Sequence, residues 1–270
     1  MFSPTIFIDK FLDFLKSKIN IRFLENNETV LVQVGLFCLT YIIPVLSIFA
    51  GTFIGLRYGL GVKAVLSGWV LALICIFLRY VADKMLPYTK SVLQKSPSQI
   101  SSRSVLDIFT VSVGLAGVIY LIFSIYNIFT ARTVAVGFDS FLSGLIVFFV
   151  SEYIMAMLLN PKESLNINLE KETSAAGELI GVCSLVIKAM YRMVPVIFGF
   201  SMIAAVLMIL LLMLSRNLTP ASLFDLGEML SMALLPFVAY VLFLVYYFVL
   251  DLCMAFLRIP EKLDALNKKK

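Results

Sequence analysis

The sequence has no histidine among its 270 residues. This absence removes the commonest general base and the usual imidazole ligand of haem and metal ions. Charge is also scarce: 14% of the residues are charged and 61% are hydrophobic, with a mean hydropathy of +0.99. Soluble domains have about 45–50% apolar and about 25% charged residues. The composition therefore predicts that the bilayer is the main solvent of this protein.

Motifs for cofactor or metal chemistry are missing as well. The four cysteines have no C-x-x-C spacing and lie in apolar surroundings, which is typical of buried, inert thiols: Cys38, Cys75, Cys183 and Cys253. The apolar runs contain no Ser-Lys, Asp-Asp or H-E-x-x-H arrangement. We expect no enzymatic activity, no cofactor and no metal. The first residues also lack the features of a signal peptide, so we expect them to remain on the mature protein.

The long apolar runs are continuous and do not alternate with polar residues, which favours helices over a β-barrel. We predict an all-α polytopic bundle whose six transmembrane helices form three consecutive hairpins in one integral-membrane domain, 1–270. The hairpins are 29–90, 105–161 and a longer one at 175–262. The spans fall near 31–56, 64–86, 105–130, 139–159, 193–215 and 229–257.

Lysine and arginine are unevenly distributed between the predicted loops. Fifteen lie in the N-terminal segment, the loops 84–104 and 160–178 and the C-terminal end, against four on the three opposite loops. Positive segments are retained on the cytoplasmic side of a membrane. We therefore predict that both termini are cytoplasmic and that the loops on the far side are short.

Two segments next to the predicted spans are amphipathic, and we predict that they form interfacial helices before helices 1 and 5. The first is 1–28, in which Phe7, Phe11 and Phe14 recur at helical spacing. The second is 175–192, which carries Lys188 and Arg192 close to the membrane entry. We expect these two cations to extend to the lipid headgroups rather than to contact a substrate.

Three segments that return to the cytoplasmic side share a pattern that predicts an internal repeat. They are LRYVADKMLP at 78–87, SEYIMAMLLNP at 151–161 and LDLCMAFLRIP at 250–260. Arg79, Glu152 and Asp251 each stand eight or nine residues before a proline, so we expect them at a similar depth. They either form a structural charge cluster or line an ion or proton pathway, and chance placement is the third interpretation.

The segment LDLCMAFLRIPEKL at 250–263 resembles the end of the second helix in a family of small bacterial two-helix membrane proteins of unknown function. In that family an arginine and a glutamate precede a Phe-Arg-Ile-x-Glu tail, and Asp251 stands here in place of the glutamate. The resemblance covers about fourteen residues. It implies a two-helix unit and a bacterial cytoplasmic (inner) membrane location, and it carries no activity.

The third hairpin is longer than the others. Pro236 is the only helix breaker after the first turn of the stretch between Thr219 and Arg258. Up to 38 residues, or roughly 57 Å, are therefore expected in one kinked helix. Such a helix either tilts strongly or projects beyond the membrane. A projecting hairpin offers a surface on which a partner protein can dock.

These features favour a non-catalytic multi-pass subunit that anchors or assembles a larger membrane complex. The alternative is a membrane component of a transporter or channel for an ion, a lipid or a small solute. The predicted repeat, the charged triplet and the glycines near the first hairpin turn favour that alternative. We expect the lipid bilayer and other membrane subunits as partners, and no nucleic acid, because no segment is long enough to form a folded basic surface.

Overall fold

A computed structural model describes residues 10, 12–14, 21–130, 134–169, 175–214, 227 and 230–267. Most of these residues are helical. In chain order the elements are α1 (Ile21–Phe37), a π-helical segment (Cys38–Ile42), α2 (Ile43–Arg57), α3 (Val62–Lys95), β1 (Ser98–Ile100), α4 (Arg103–Thr130), α5 (Val134–Leu159), α6 (Pro161–Leu165), β2 (Ile167–Leu169), α7 (Ala175–Leu214), a 3-10 turn (Met232–Leu234) and α8 (Leu235–Asn267).

Five helical stretches in the described part of the chain are long and apolar enough to cross a membrane. They are Leu24–Arg57, Val62–Lys95, Arg103–Thr130, Gly177–Met213 and Met232–Phe256, and they coincide with five of the six predicted spans. The remaining predicted span falls in α5, where the apolar stretch Ser143–Leu159 is shorter. The helical membrane character is therefore as expected, while a sixth crossing and the hairpin arrangement stay predictions.

The predicted interfacial helix at 175–192 is not a separate element. α7 runs without interruption from Ala175 to Leu214, through Pro195. No proline lies between residues 175 and 193, and the helix continues through Gly177 and Gly181 into the apolar run. Most of the other predicted interfacial helix, 1–28, lies outside the described residues, and its last part belongs to α1.

The C-terminal helix differs from the expected 38-residue helix. Residues 215–226 lie outside the described part of the chain, and a 3-10 turn at Met232–Leu234 precedes α8. This turn stands directly before Leu235 and Pro236. Proline has no N–H group and cannot donate the backbone hydrogen bond of a regular helix. α8 then continues beyond Arg258 to Asn267.

The prolines of the predicted repeat have different structural positions. Pro87 lies inside α3, and Pro260 lies within the helical range of α8. Pro161 instead begins the short helix α6 after α5 has ended at Leu159. The three prolines therefore do not occupy equivalent positions in their helices, and the internal repeat stays a prediction.

α1, the π-helical segment Cys38–Ile42 and α2 follow one another without a break, and we call them together the first long helix. The π-helical segment ends two residues before Pro44. A proline inside a helix lacks an N–H donor, and its ring displaces the carbonyl of residue i−4, here Thr40. A π-turn accommodates such a displacement within a continuous helix. The Thr40 hydroxyl donates to the Leu36 carbonyl at 2.6 Å and adds a side-chain bond in the same turn.

The chain divides into two compact units. The first comprises Met1–Thr29 and Val92–Met193. In it, α4 packs closely on α5 through small residues: a Cβ at Gly117 would approach the Ser151 Cβ to 2.6 Å. The first unit also contains an unpredicted two-stranded parallel sheet, in which Ser98 pairs with Ile167 and Ile100 with Leu169.

The second unit comprises Val30–Ser91 and Val194–Lys270. Its core consists of apolar residues from the first long helix, α3, α7 and the segment before α8, including Leu39, Ile43, Cys75, Leu78, Phe198, Met202 and Ala233. Two glycines allow close packing, because a Cβ at Gly35 would lie 2.9 Å from the Gly199 Cα. The small side chains let these helix backbones approach each other as they do in membrane bundles.

Candidate functional site

One face of the N-terminal half of α7, in the first unit, carries four polar side chains that bind distant parts of the chain. Glu178, Ser184, Lys188 and Arg192 recur at helical spacing and lie on one side of the helix. The first three contact residues 96–102 and Asn166. We call this set of contacts the anchoring site, because it holds two chain segments against α7.

Glu178 binds the segment that leads into α4. Its carboxylate accepts hydrogen bonds from the Ser101 N–H at 2.7 Å, the Ser101 hydroxyl at 2.6 Å and the Ser102 N–H at 3.0 Å. The Ser102 hydroxyl in turn accepts from the Val105 N–H at 3.4 Å, as an N-cap does. A negative charge at this place also interacts favourably with the N-terminal end of the α4 dipole.

The middle of the anchoring site places β1 directly against α7. The Ser184 and Ser98 hydroxyls are 2.8 Å apart and share a hydrogen bond. One turn earlier, α7 has Gly181, at which any Cβ would overlap the Gln99 carbonyl oxygen. The glycine therefore allows the strand backbone to lie against the helix.

Lys188 completes the anchoring site and is fully buried. Its Nζ donates to the Ser96 carbonyl at 2.5 Å and to the Asn166 carbonyl at 3.1 Å. Ser96 lies two residues before β1, and Asn166, at a positive φ of 51°, lies directly before β2. One ammonium group therefore joins the approaches to both strands.

Asn166 reinforces this connection with its own side chain. Its Nδ2 donates to the Gln94 carbonyl at 2.7 Å, near the C-terminal end of α3. The Ser98 N–H donates to the Asn166 carbonyl at 3.2 Å. A short amide side chain suits this position, since asparagine adopts a positive φ more readily than most residues.

One helical turn beyond Lys188, Arg192 forms a buried ion pair with Glu28 of α1. The Arg192 Nη2 lies 2.7 Å from Glu28 Oε2, and Nη1 lies 3.3 Å from Oε1. The two side chains are only 6% and 5% exposed. The Tyr153 hydroxyl donates to the same carboxylate at 3.5 Å.

These positions correct the expectation that Lys188 and Arg192 extend to lipid headgroups. Both side chains are enclosed by protein, with relative exposures of 0% and 5%. A buried cation is stable only with compensating partners, and main-chain carbonyls and the Glu28 carboxylate are those partners. The two residues are structural groups of the first unit.

The predicted charged triplet is distributed over both units. Glu152 lies in the first unit, on α5, and is half-buried. Arg79 and Asp251 belong to the second unit. The Arg79 Nη1 lies 2.9 Å from the Asp83 Oδ1 on the same helix, and Asp251 is exposed.

Within the second unit, an aromatic pair forms a contact between α3 and α8. The rings of Tyr88 and Tyr240 have centroids 6.4 Å apart. Arg79 lies nine residues before Tyr88, and Asp251 lies eleven residues after Tyr240. The common depth of the triplet and its charge cluster stay predictions.

The described residues contain no group of three or more His, Cys, Asp or Glu side chains able to hold a metal ion. Cys38 and Cys75 are buried thiols, while Cys183 and Cys253 are exposed. The chemistry of the anchoring site is hydrogen bonding between a helix and two loops. It joins chain segments that are distant in sequence.

Comparisons with protein-family models, curated proteins and solved structures found no match to this chain. The class of protein therefore follows from the helices themselves. Several long apolar helices with mostly exposed apolar side chains are compatible with a multi-pass membrane protein.

Proposed function

We propose that this chain is a non-catalytic multi-pass subunit that anchors or assembles a larger membrane protein complex. The observation that carries the proposal is the exposure of its spans. In the five candidate spans only 22–39% of the most apolar window is buried within the chain. Most of each helix is therefore surface for lipid or for helices of other subunits.

The polar interior supports the same proposal. Lys188, Arg192 and Glu178 each bind groups of the protein itself. These charges hold loops and helices in place, as expected of a scaffold. Its proposed arrangement is six transmembrane helices in three consecutive hairpins, with both termini in the bacterial cytoplasm.

Site-specific photo-crosslinking in cells tests this proposal. A photoreactive phenylalanine analogue replaces Phe123, which is 63% exposed on α4, or Phe198, which is fully buried in the second unit. We expect discrete protein adducts from position 123 and none from position 198. Adducts of position 123 with lipid alone would contradict a role as a complex subunit.

A transport component is the second candidate, and the π-helical segment favours it. Cys38–Ile42 interrupts the regular hydrogen bonding of the first long helix, and π-turns are frequent at functional sites. Purified protein in liposomes provides the test. Transport predicts solute flux by the chain alone, with loss of flux but normal assembly in the Glu152→Gln variant. A complex subunit without transport activity predicts no flux.

A further inference from the structure

α8 has one buried seam and a broad exposed side. Phe243 and Leu250, seven residues apart, are 2% and 9% exposed. Leu244 and Phe248 are 46% and 65% exposed. This pattern is typical of a helix that packs on its own protein along one line and presents its other side to the surroundings.

Asp251 lies on that exposed side. It follows Leu244 by seven residues and Phe248 by three, so the three side chains share one face of the helix. We call this set the Asp251 face. Among the residues whose side chains are described, none forms a hydrogen bond or an ion pair with Asp251, which is itself exposed.

The residues that flank Asp251 in the sequence are apolar. Asp251 lies within the candidate span Met232–Phe256, and the six residues that follow it are uncharged, from Leu252 to Leu257. Long cationic side chains reach the headgroups across such a distance, whereas the short aspartate side chain does not. Ionisable groups in membrane helices face a protein interior or a wet cavity, where an opposite charge or a polar group compensates them.

We propose that the Asp251 face binds a transmembrane helix of another protein that carries one lysine or arginine at the matching depth. The apolar part of the partner packs against Leu244 and Phe248, and its cation pairs with Asp251. Charge complementarity identifies this occupant, since lipid chains leave the carboxylate without a counter-charge. The proposal rests on the proposed role as a complex subunit and names the chemistry of the partner.

A second copy of this chain is a poorer occupant of the same face. Twofold contacts bring identical patches together, so Asp251 would lie close to Asp251 of the other copy. Like charges at such a contact repel each other. Arg79, a cation of a candidate span in the same unit, is already paired with Asp83.

The test uses the full chain in phosphatidylcholine vesicles with a donor dye at its C-terminus. The probes are acceptor-labelled polyleucine helices that carry a single arginine, a single aspartate or leucine alone at the depth of Asp251. We expect the arginine helix to associate at least about tenfold more tightly than the leucine helix, and the aspartate helix to associate most weakly. Energy transfer at increasing probe density measures the three affinities.

Two variants assign the preference to Asp251. Asp251→Asn should reduce the affinity for the arginine helix to that for the leucine helix. The control is Asp107→Asn, which removes an exposed carboxylate in the other unit and should leave the tenfold preference unchanged.

Three results would overturn the inference. They are equal affinities for the arginine and leucine helices, a preference that survives Asp251→Asn, and self-association of the labelled protein that Asp251→Asn abolishes. The last identifies a second copy as the occupant. Protein adducts at position 123 together with any of these results would retain the complex subunit and reject the Asp251 face as its docking site.

Discussion

Lys188 is fully buried, and the two hydrogen bonds found for its Nζ are to main-chain oxygens. These acceptors are neutral, so the two hydrogen bonds of Lys188 do not depend on a second charged side chain. The carbonyls of Ser96 and Asn166 receive their donor from a helix that is distant in sequence. Removal of this donor takes one hydrogen bond from each carbonyl at an enclosed position, which is more costly than the loss of an exposed hydrogen bond.

We expect Lys188→Met to lower the free energy of unfolding by about 1–3 kcal/mol, because the Ser96 carbonyl loses its lysine donor while the Asn166 carbonyl retains the Ser98 N–H. Thermal unfolding in detergent, followed by circular dichroism, measures the change. Lys162→Met is the matched control, since Lys162 is exposed on the short helix α6. Equal stability of the two variants would show that Lys188 is not a structural anchor.

The Arg192–Glu28 ion pair calls for a double-mutant cycle. Arg192→Leu or Glu28→Leu alone should destabilise the protein by about 3–5 kcal/mol, because each leaves one buried charge unpaired. The double variant should lose much less than the sum of the two. The exposed Arg103–Asp107 pair, at 4.0 Å, is the comparison and should show a coupling of only about 0–1 kcal/mol. Additive losses at Arg192 and Glu28 would contradict a direct pair.

The positions of Lys188 and Arg192 beside a predicted span indicated contact with headgroups, which was wrong, and no sequence pattern indicated Glu28 as a partner. The acceptors of Lys188 are carbonyls, which every residue has, so they leave no signal in the sequence. The helical spacing of Glu178, Ser184 and Lys188 was the available signal for a shared polar face. Its partners, residues 96–102, are separated from it in the chain by three helices, α4, α5 and the short α6.

At the scale of elements, long apolar runs predicted the helices well, because the bilayer requires an internally bonded backbone over about twenty residues. α4 was expected at 105–130 and is found at Arg103–Thr130. The strands β1 and β2 have three residues each and exist through contacts with each other and with α7. Such short elements depend on tertiary contacts and cannot be recognised from periodicity.

The close contact of the first long helix with α7 predicts a specific effect of a single methyl group. A Cβ at Gly199 would lie 2.7 Å from the Leu31 carbonyl oxygen, so Gly199→Ala should separate the helices and destabilise the protein by about 1–3 kcal/mol. Gly227→Ala is the control, because no described atom outside its own stretch of chain lies within 4 Å of its added Cβ. Unfolding midpoints of the two variants in detergent give the comparison. A Gly199→Ala variant as stable as the control would mean that the helices are not in close contact.

At the scale of the whole molecule, several helices are longer than a bilayer requires, α3 and α7 among them. α3 has 34 residues and α7 has 40, which correspond to about 51 Å and 60 Å against a hydrocarbon core of about 30 Å. Unless they tilt strongly, these helices extend beyond the core. The anchoring site joins the segment after the last residues of α3 to the first half of α7. Its residues 96–102 and Asn166 lie in the loops 84–104 and 160–178, which the charge distribution predicts to be cytoplasmic.

The topology of the whole chain is tested by the accessibility of single cysteines. α3, α4 and α5 lie between Lys63 and Lys162, and both lysines are exposed. If all three helices cross, Lys63 lies outside the cytoplasm and Lys162 inside. In a variant without the four native cysteines, a membrane-impermeant maleimide should label Lys63→Cys in intact cells and Lys162→Cys only after permeabilisation. Labelling of both in intact cells would indicate that one of the three helices does not cross. α5 is then the expected one, because its apolar stretch Ser143–Leu159 is shorter than the five candidate spans.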